Sequence, residues 1–288
     1  MDMEKEEEKK TICLDCGTEF AGKFCPNCGQ KATTRRLKFK EIVGDTYSSI
    51  AGGDNKFVNT CRDLCYRPGH LVREYLQGRR TRYTKPLQAL VLSITIYAVL
   101  SFIIGKDPFD FYEMTTSNVK MEAVDEDTDE LVTFVKKIYH FFADNKLYYT
   151  IVSAIISIIP YRFVFRKYKI KRPGSEAMPL NCTEQFYTQL YLSSISMMFA
   201  VLLLPFSLIH GSDEIIKNIN TLAEVIIAIV LFKQLYGIGW WKSIKCNIKA
   251  FILILINIVI AVIIAALVIG AAYIVIYGLD DIAGKSNA

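Results

Sequence analysis

The chain has 288 residues, of which 52% are hydrophobic and 22% charged, and 34 Lys and Arg against 29 Asp and Glu give a formal net charge of +5. The apolar residues gather in long blocks, which excludes an ordinary soluble globule. Most of the positive charge falls in loops beside those blocks, so membrane orientation accounts for it before nucleic-acid binding does.

Residues 1–10 are acidic and lysine-rich and lack the apolar core of a signal peptide, so a disordered tail is expected there. Residues 11–30 hold two copies of one phrase, Cys13-Leu-Asp-Cys16-Gly17 and Cys25-Pro-Asn-Cys28-Gly29. A Cys-x-x-Cys-Gly phrase makes a tight turn that aims two thiolates at one metal, and two such knuckles make the closed tetrahedral site of structural zinc. The competing reading is a pair of disulfides, disfavoured if the segment lies in a reducing cytosol. A redox role is weaker still, because no thioredoxin-like strand–helix pattern surrounds either pair. Such a module buries too little to fold alone, so metal binding would supply its folding energy, on the order of 10–16 kcal/mol in zinc-finger peptides. Between Thr11 and Gln30 a single Lys23 faces Asp15 and Glu19, which argues for protein contact and against nucleic acid.

From 35 to 83 the pattern turns amphipathic. Phe39, Ile42, Val43, Tyr47 and Ile50 share helical spacing, Gly52-Gly53 interrupts it, and Asp54 can cap a new helix. Phe57, Val58, Cys61, Leu64 and Cys65 form its apolar face, and Leu71, Val72, Tyr75 and Leu76 form another between Pro68-Gly69 and Gly78. Stripes of this kind either pack on one another or lie along a membrane surface, and the neighbouring apolar run favours the interface. Cys61 and Cys65, one turn apart, read as small packing residues rather than ligands, and His70 as a polar helix-start residue.

The ribbon, ending Phe24-Cys25-Pro-x-Cys28-Gly29-Gln30, precedes the phrase Arg67-Pro68-Gly69-His70-x-x-x-Glu74-Tyr75-Leu76-x-Gly78-x-Arg80-x-x-Tyr83-x-x-Pro86. Together they resemble a bacterial membrane family catalogued as domain of unknown function 3667, over about residues 11–95. Lys85-Pro86 stands where the family leads one to expect Asn-Pro. The resemblance implies a membrane protein with a cytosolic zinc ribbon, and it brings neither an activity nor catalytic residues.

Residues 84–279 read as an all-α, polytopic membrane domain of five spans, about 86–104, 147–165, 186–209, 219–238 and 250–277, with Pro160 and Pro205 inside the second and third. Loop charge alternates along them. Residues 106–146 carry five Lys/Arg against ten Asp/Glu, including the run Asp125-Glu126-Asp127. Arg166, Lys167, Lys169, Lys171 and Arg172 follow span two, only Lys217 opposes Asp213 and Glu214 after span three, and Lys242, Lys245 and Lys249 follow span four. That alternation predicts a multi-pass protein of the inner (cytoplasmic) membrane, N-terminus cytosolic and C-terminus outside. Tyr148-Tyr149, Tyr161, Trp240-Trp241 and Tyr277 fall at the expected interfaces, and Phe134, Ile138, Phe141 and Phe142 suggest an outer amphipathic helix. Five spans entered through a Pro-containing amphipathic phrase are also similar in topology to Yip-type membrane proteins.

Polar groups inside spans are Gln189, Glu224, Lys233, Gln234 and Asn257. Glu224 and Asn257 are the candidates for an intramembrane site, although Glu224 lies near the outer end of its span and Lys233 can snorkel. Ala261, Ala265, Ala266 and Gly270 give small-xxx-small spacings suited to helix packing. The sequence lacks Gly-x-Ser-x-Gly, a phosphate loop and His-Glu-x-x-His, and His70, His140 and His210 are scattered. The expectation is therefore a non-enzymatic docking or assembly protein with bilayer and cytosolic protein partners and no nucleic-acid partner. The alternatives are a transporter or permease subunit, and a membrane enzyme whose acidic outer loop binds a metal.

Overall fold

The computed structural model describes residues 11–32, 37, 55–106, 146–173, 176–208 and 213–260. The tail 1–10, the stripe 39–50, Asp54, the loop from 107 to 145 with its expected outer helix, the small-residue stripe 261–270 and Tyr277 lie outside the described residues. So do His140 and His210.

A two-stranded antiparallel ribbon comes first, β1 (Thr11–Ile12) against β2 (Glu19–Phe20), with Thr11 opposite Phe20. Two short helices follow, α1 (Asn55–Tyr66) and α2 (Pro68–Leu76). The long helices are α3 (Pro86–Ile104), α4 (Lys146–Phe165), α5 (Cys182–Leu203), α6 (Asp213–Tyr236) and α7 (Trp240–Ile260). The protein is thus a helical membrane protein with a small cysteine-bearing module at its front. Among the described residues four helices, α3, α5 with its extension to Leu208, α6 and α7, are long and apolar enough to cross a bilayer, and within α4 the apolar stretch is shorter, Thr150–Phe165.

Local chemistry sets the boundaries. Pro86 opens α3 at the position where its missing N–H costs nothing, and Gly105, at φ +75°, closes it. Pro205 lies in a 3₁₀ turn, Leu204–Leu208, that follows the α-helical part of the third segment. Two expected starts are corrected. The third long helix begins at Cys182 rather than Phe186, because Asn181 and Glu184 form a capping box: the Asn181 side chain accepts from the Glu184 amide and Glu184 accepts from the Asn181 amide. The fifth begins at Trp240 rather than Ala250. Lys242, Lys245 and Lys249, expected in a loop, are exposed along one face of α7, while Ser243, Cys246, Asn247 and Ala250 are buried along the other.

The helices pack around α5, whose residues Leu190, Tyr191 and Ser194 are fully buried. Between α4 and α6 runs an aromatic stack: Phe232 lies 4.7 Å from both Tyr161 and Phe165, and Phe165 lies 5.0 Å from Tyr236, with nearly parallel rings. Many of the large apolar side chains on α3, α6 and α7 point outward, among them Phe102, Ile103, Leu222, Val225, Phe251 and Val259, as lipid-facing surfaces do.

The amphipathic segment shows where tertiary packing overrides surface partition. Leu71, Val72, Tyr75 and Leu76 of α2 are buried against the long helices rather than laid on an interface. In α1 the buried face is Thr60, Asp63 and Leu64, whereas Val58 and Cys65 are exposed. The apolar stripe is thus split: Leu64 is buried with Thr60 and Asp63, Phe57 and Cys61 are half-buried, and Val58 and Cys65 face outward. A buried carboxylate network, described next, holds the helix.

Candidate metal centre and the Arg67–Pro86 clasp

The two knuckles fold alike. The Cys13 and Cys25 amides donate to the Thr18 and Gln30 carbonyls, and the Gly17 and Gly29 amides donate back to the Cys13 and Cys25 carbonyls. Gly17 and Gly29 sit at φ +75° and +73°, the left-handed turn that lets each chain curl behind its cysteines. The four sulfurs of Cys13, Cys16, Cys25 and Cys28 all lie within 4.8 Å of one another. Cys13 Sγ is 3.4 Å from Cys28 Sγ and Cys16 Sγ is 3.5 Å from Cys25 Sγ, and no disulfide joins them. Tetrahedral bonds of about 2.3 Å from one metal to four sulfurs require separations of about 3.8 Å, so the donor set fits a single ion. The Thr18 hydroxyl and backbone hold the Cys16 thiol down at about 6, while burial pushes the Cys28 thiol up to about 12. The residue after each knuckle glycine, Thr18 or Gln30, thus presents its backbone to the second sulfur of its pair.

Gln30 has a second role. Its Nε2 donates to the Gly78 carbonyl at 2.8 Å, and its Oε1 accepts from the Thr81 hydroxyl at 3.3 Å. One buried carboxamide thus ties the ribbon to the turn after α2. Gly78, at φ +111°, makes that turn: its amide donates to the Tyr75 carbonyl and the Arg79 amide to that of Glu74, a Schellman closure.

The remaining motif residues form a clasp. The Arg67 guanidinium lies 2.7 Å from Asp63 Oδ2 and 3.4 Å from Glu74 Oε1. The Tyr83 hydroxyl lies 2.9 Å from both Asp63 Oδ2 and Glu74 Oε2, between two carboxylates that Arg67 also bridges. Burial would raise the Asp63 carboxyl, but hydrogen bonds from Arg67 and Tyr83 hold it below its ordinary value. Tyr83 moves the other way, its hydroxyl pushed well above the usual range by burial and by the two carboxylates. The Thr84 amide donates to Thr60 Oγ1 and its carbonyl accepts from the Tyr191 hydroxyl, so the strap leading to Pro86 is pinned on both sides. Tyr75 meets Tyr187 and Tyr191 edge-to-face, and the Arg80 guanidinium lies 5.9 Å from the Tyr75 ring centre.

Pro68 starts α2, and Gly69 allows it to touch α6. A Cβ on Gly69 would lie 2.2 Å from the Leu231 carbonyl oxygen and 2.5 Å from Gln234 Cβ. The Gly69 amide donates to Gln234 Oε1 at 3.0 Å, and Arg73 donates to the Leu235 carbonyl at the end of α6. His70 is exposed.

Sequence reasoning overlooked Asp63, Arg73 and Glu184. Asp63 and Arg73 are charges on stripes read for their apolar members. Glu184 had a visible signal, the Asn-x-x-Glu capping box. Its carboxylate, 1% exposed, lies 2.7 Å from Arg172. Cys61, whose thiol burial pushes up to about 11, is half-buried in α1. Glu224 lies on an exposed face of α6, where Asn220 Nδ2 reaches it at 3.3 Å, and Asn257 is half-buried in α7 with no hydrogen bond to its side chain among the described residues.

Residues 54–98, which span α1, α2, the strap and the first part of α3, match the family described as "Protein of unknown function (DUF3667)". The match covers the clasp and leaves the four cysteines outside it. No curated protein and no solved structure matches, and nothing found links the chain to Yip-type proteins.

Proposed function

We propose that this is a non-enzymatic, multi-pass protein of the inner membrane. In this reading it carries a structural zinc ion on its four cysteines and uses the ribbon, on the cytosolic side, to dock a protein partner or to support assembly. The observation that carries the reading is the ribbon's outer surface. Ile12 and Phe24 are 61% and 57% exposed, whereas Phe20 of the same module is buried. Large apolar groups held out on a metal-stapled scaffold are suited to a protein contact, and the near absence of Lys and Arg from residues 11–30 disfavours nucleic acid. The donor set is all thiolate and closed at four, which suits zinc in a structural rather than a catalytic role.

Affinity capture of the full-length protein in mild detergent tests this, comparing the native chain with Cys25→Ser/Cys28→Ser and with Ile12→Ser/Phe24→Ser. The reading expects both variants to lose the same partner, while only the first loses metal. A partner retained by both would end the docking role.

The alternative, a transporter subunit, draws on one observation. Both amide atoms of Gln185 and Nε2 of Gln189, one turn along α5, are buried without a hydrogen-bond partner among the described residues. Polar groups so placed mark candidate substrate positions in membrane helices. Flux in liposomes that falls on Gln185→Leu substitution would favour that reading over docking.

A further inference from the structure

Between the ribbon and the helical body lies a cleft of about 470 Å³. Leu14 and Asp15 form one wall, Gln77 and Arg79 a second, and Lys171 and Arg172 a third. Gln77 Nε2 donates to the Lys171 carbonyl at 2.8 Å, which fixes the spacing of the last two walls. Three cations therefore line the cleft against the Asp15 carboxylate and Cys13 of the metal centre. Arg172 is committed to the buried Glu184 at 2.7 Å. Arg79 and Lys171 are exposed and have no ion pair among the described residues.

We propose that this cleft binds a phosphate-bearing anion, with Arg79 and Lys171 as its direct ligands. A guanidinium fork pairs with two phosphate oxygens at once and an ammonium adds a mobile point charge, so the two residues suit a phosphodiester or phosphomonoester. The volume exceeds that of bare phosphate and lies in the range of small-molecule sites, leaving room for what the phosphate carries. Position favours the headgroup of an anionic phospholipid. Arg79 precedes Pro86, where α3 starts, by seven residues, and Lys171 follows Phe165, where α4 ends, by six. Both cations thus stand just beyond the ends of apolar helices, where headgroups lie. The inference rests on the membrane reading of these helices and is independent of the docking role.

The test uses the full-length protein in a non-ionic detergent, with lipid adducts counted by native mass spectrometry. Phosphatidylglycerol and phosphatidylcholine are titrated in one arm, and inorganic pyrophosphate is followed by ³¹P line broadening in a second. Arg79→Gln/Lys171→Gln is compared with Lys245→Gln/Lys249→Gln, which removes two exposed cations of α7 away from the cleft. The expected result is an affinity for phosphatidylglycerol about tenfold lower in the cleft variant and changed less than about twofold in the control. Arg79→Lys/Lys171→Arg, which keeps both charges, should retain most of the binding. Loss confined to the pyrophosphate arm would assign the cleft to a soluble phosphate compound, and loss in the lipid arm to a headgroup. A cleft variant that matches the control in both arms would overturn the proposal.

Discussion

Gly69 and Gln234 meet without space for a methyl group between them: the glycine amide donates to the glutamine carbonyl oxygen at 3.0 Å, and a Cβ at residue 69 would lie 2.5 Å from Gln234 Cβ. The sharper clash, at 2.2 Å, is with the Leu231 carbonyl, a backbone atom inside α6 that cannot rotate aside. Gly69→Ala should therefore force α2 away from α6 and cost about 1–3 kcal/mol or more. Thermal unfolding in detergent should show a melting temperature several degrees lower, and an unchanged value would mean that the two helices separate without penalty.

The carboxylate clasp sets a pH dependence. Asp63 has a lowered value in the folded chain, so the stability it contributes is present above the value of an unfolded aspartate, about 4, and is lost as the pH falls below that. The native protein should thus lose stability on acidification from about pH 5 to about pH 3. Arg67→Gln should flatten that dependence while destabilising the chain at neutral pH, because it removes the cation from a carboxylate that is 4% exposed. Parallel acid titrations of both proteins that superimpose would contradict the role given to Arg67.

Tyr83→Phe makes a milder change. It leaves Arg67 with both carboxylates but removes the hydroxyl that lies 2.9 Å from each. A loss of about 1–3 kcal/mol is expected in chemical unfolding, smaller than that for Arg67→Gln.

At the start of α5, Arg172→Met should cost about 3–5 kcal/mol by leaving the Glu184 carboxylate buried without its cation. A double substitution, Arg172→Met/Glu184→Gln, should recover part of that loss. A double-mutant cycle with no coupling between the two positions would show that the pair contributes nothing.

Metal removal should act locally. Metal analysis of the purified chain should find one zinc per molecule, and a strong chelator should release it. Hydrogen exchange should then rise across residues 11–32, while α3, α5 and α6 stay protected. Equal loss of protection throughout would show that the ribbon supports the entire helical body.

The cysteine phrase was legible because its chemistry is local: two knuckles of one spacing have one economical use. The bounds of α3 were equally legible, since Pro86, an uncharged run and Gly105 each act on the backbone beside them. What sequence periodicity missed was decided by partners far along the chain. Val58 and Cys65 look like the packed face of α1, yet Asp63 is buried there because Arg67 and Tyr83 neutralise and satisfy it. The start of α7 was hidden for a related reason, because hydropathy treats each Lys as a break. Lys242, Lys245 and Lys249, however, share one exposed face and leave the opposite face free to pack.

The bond from Arg73 to the Leu235 carbonyl joins positions 162 residues apart. A ribosome would finish the clasp early and then make several more helices before the α6 surface that seats it exists. Until α6 is made, the Gly69 notch lacks the Leu231 and Gln234 surface that fills it. A chain interrupted before residue 235 would therefore have only α5 to seat the clasp, through Tyr187 and Tyr191, and would leave the Gly69 face uncovered.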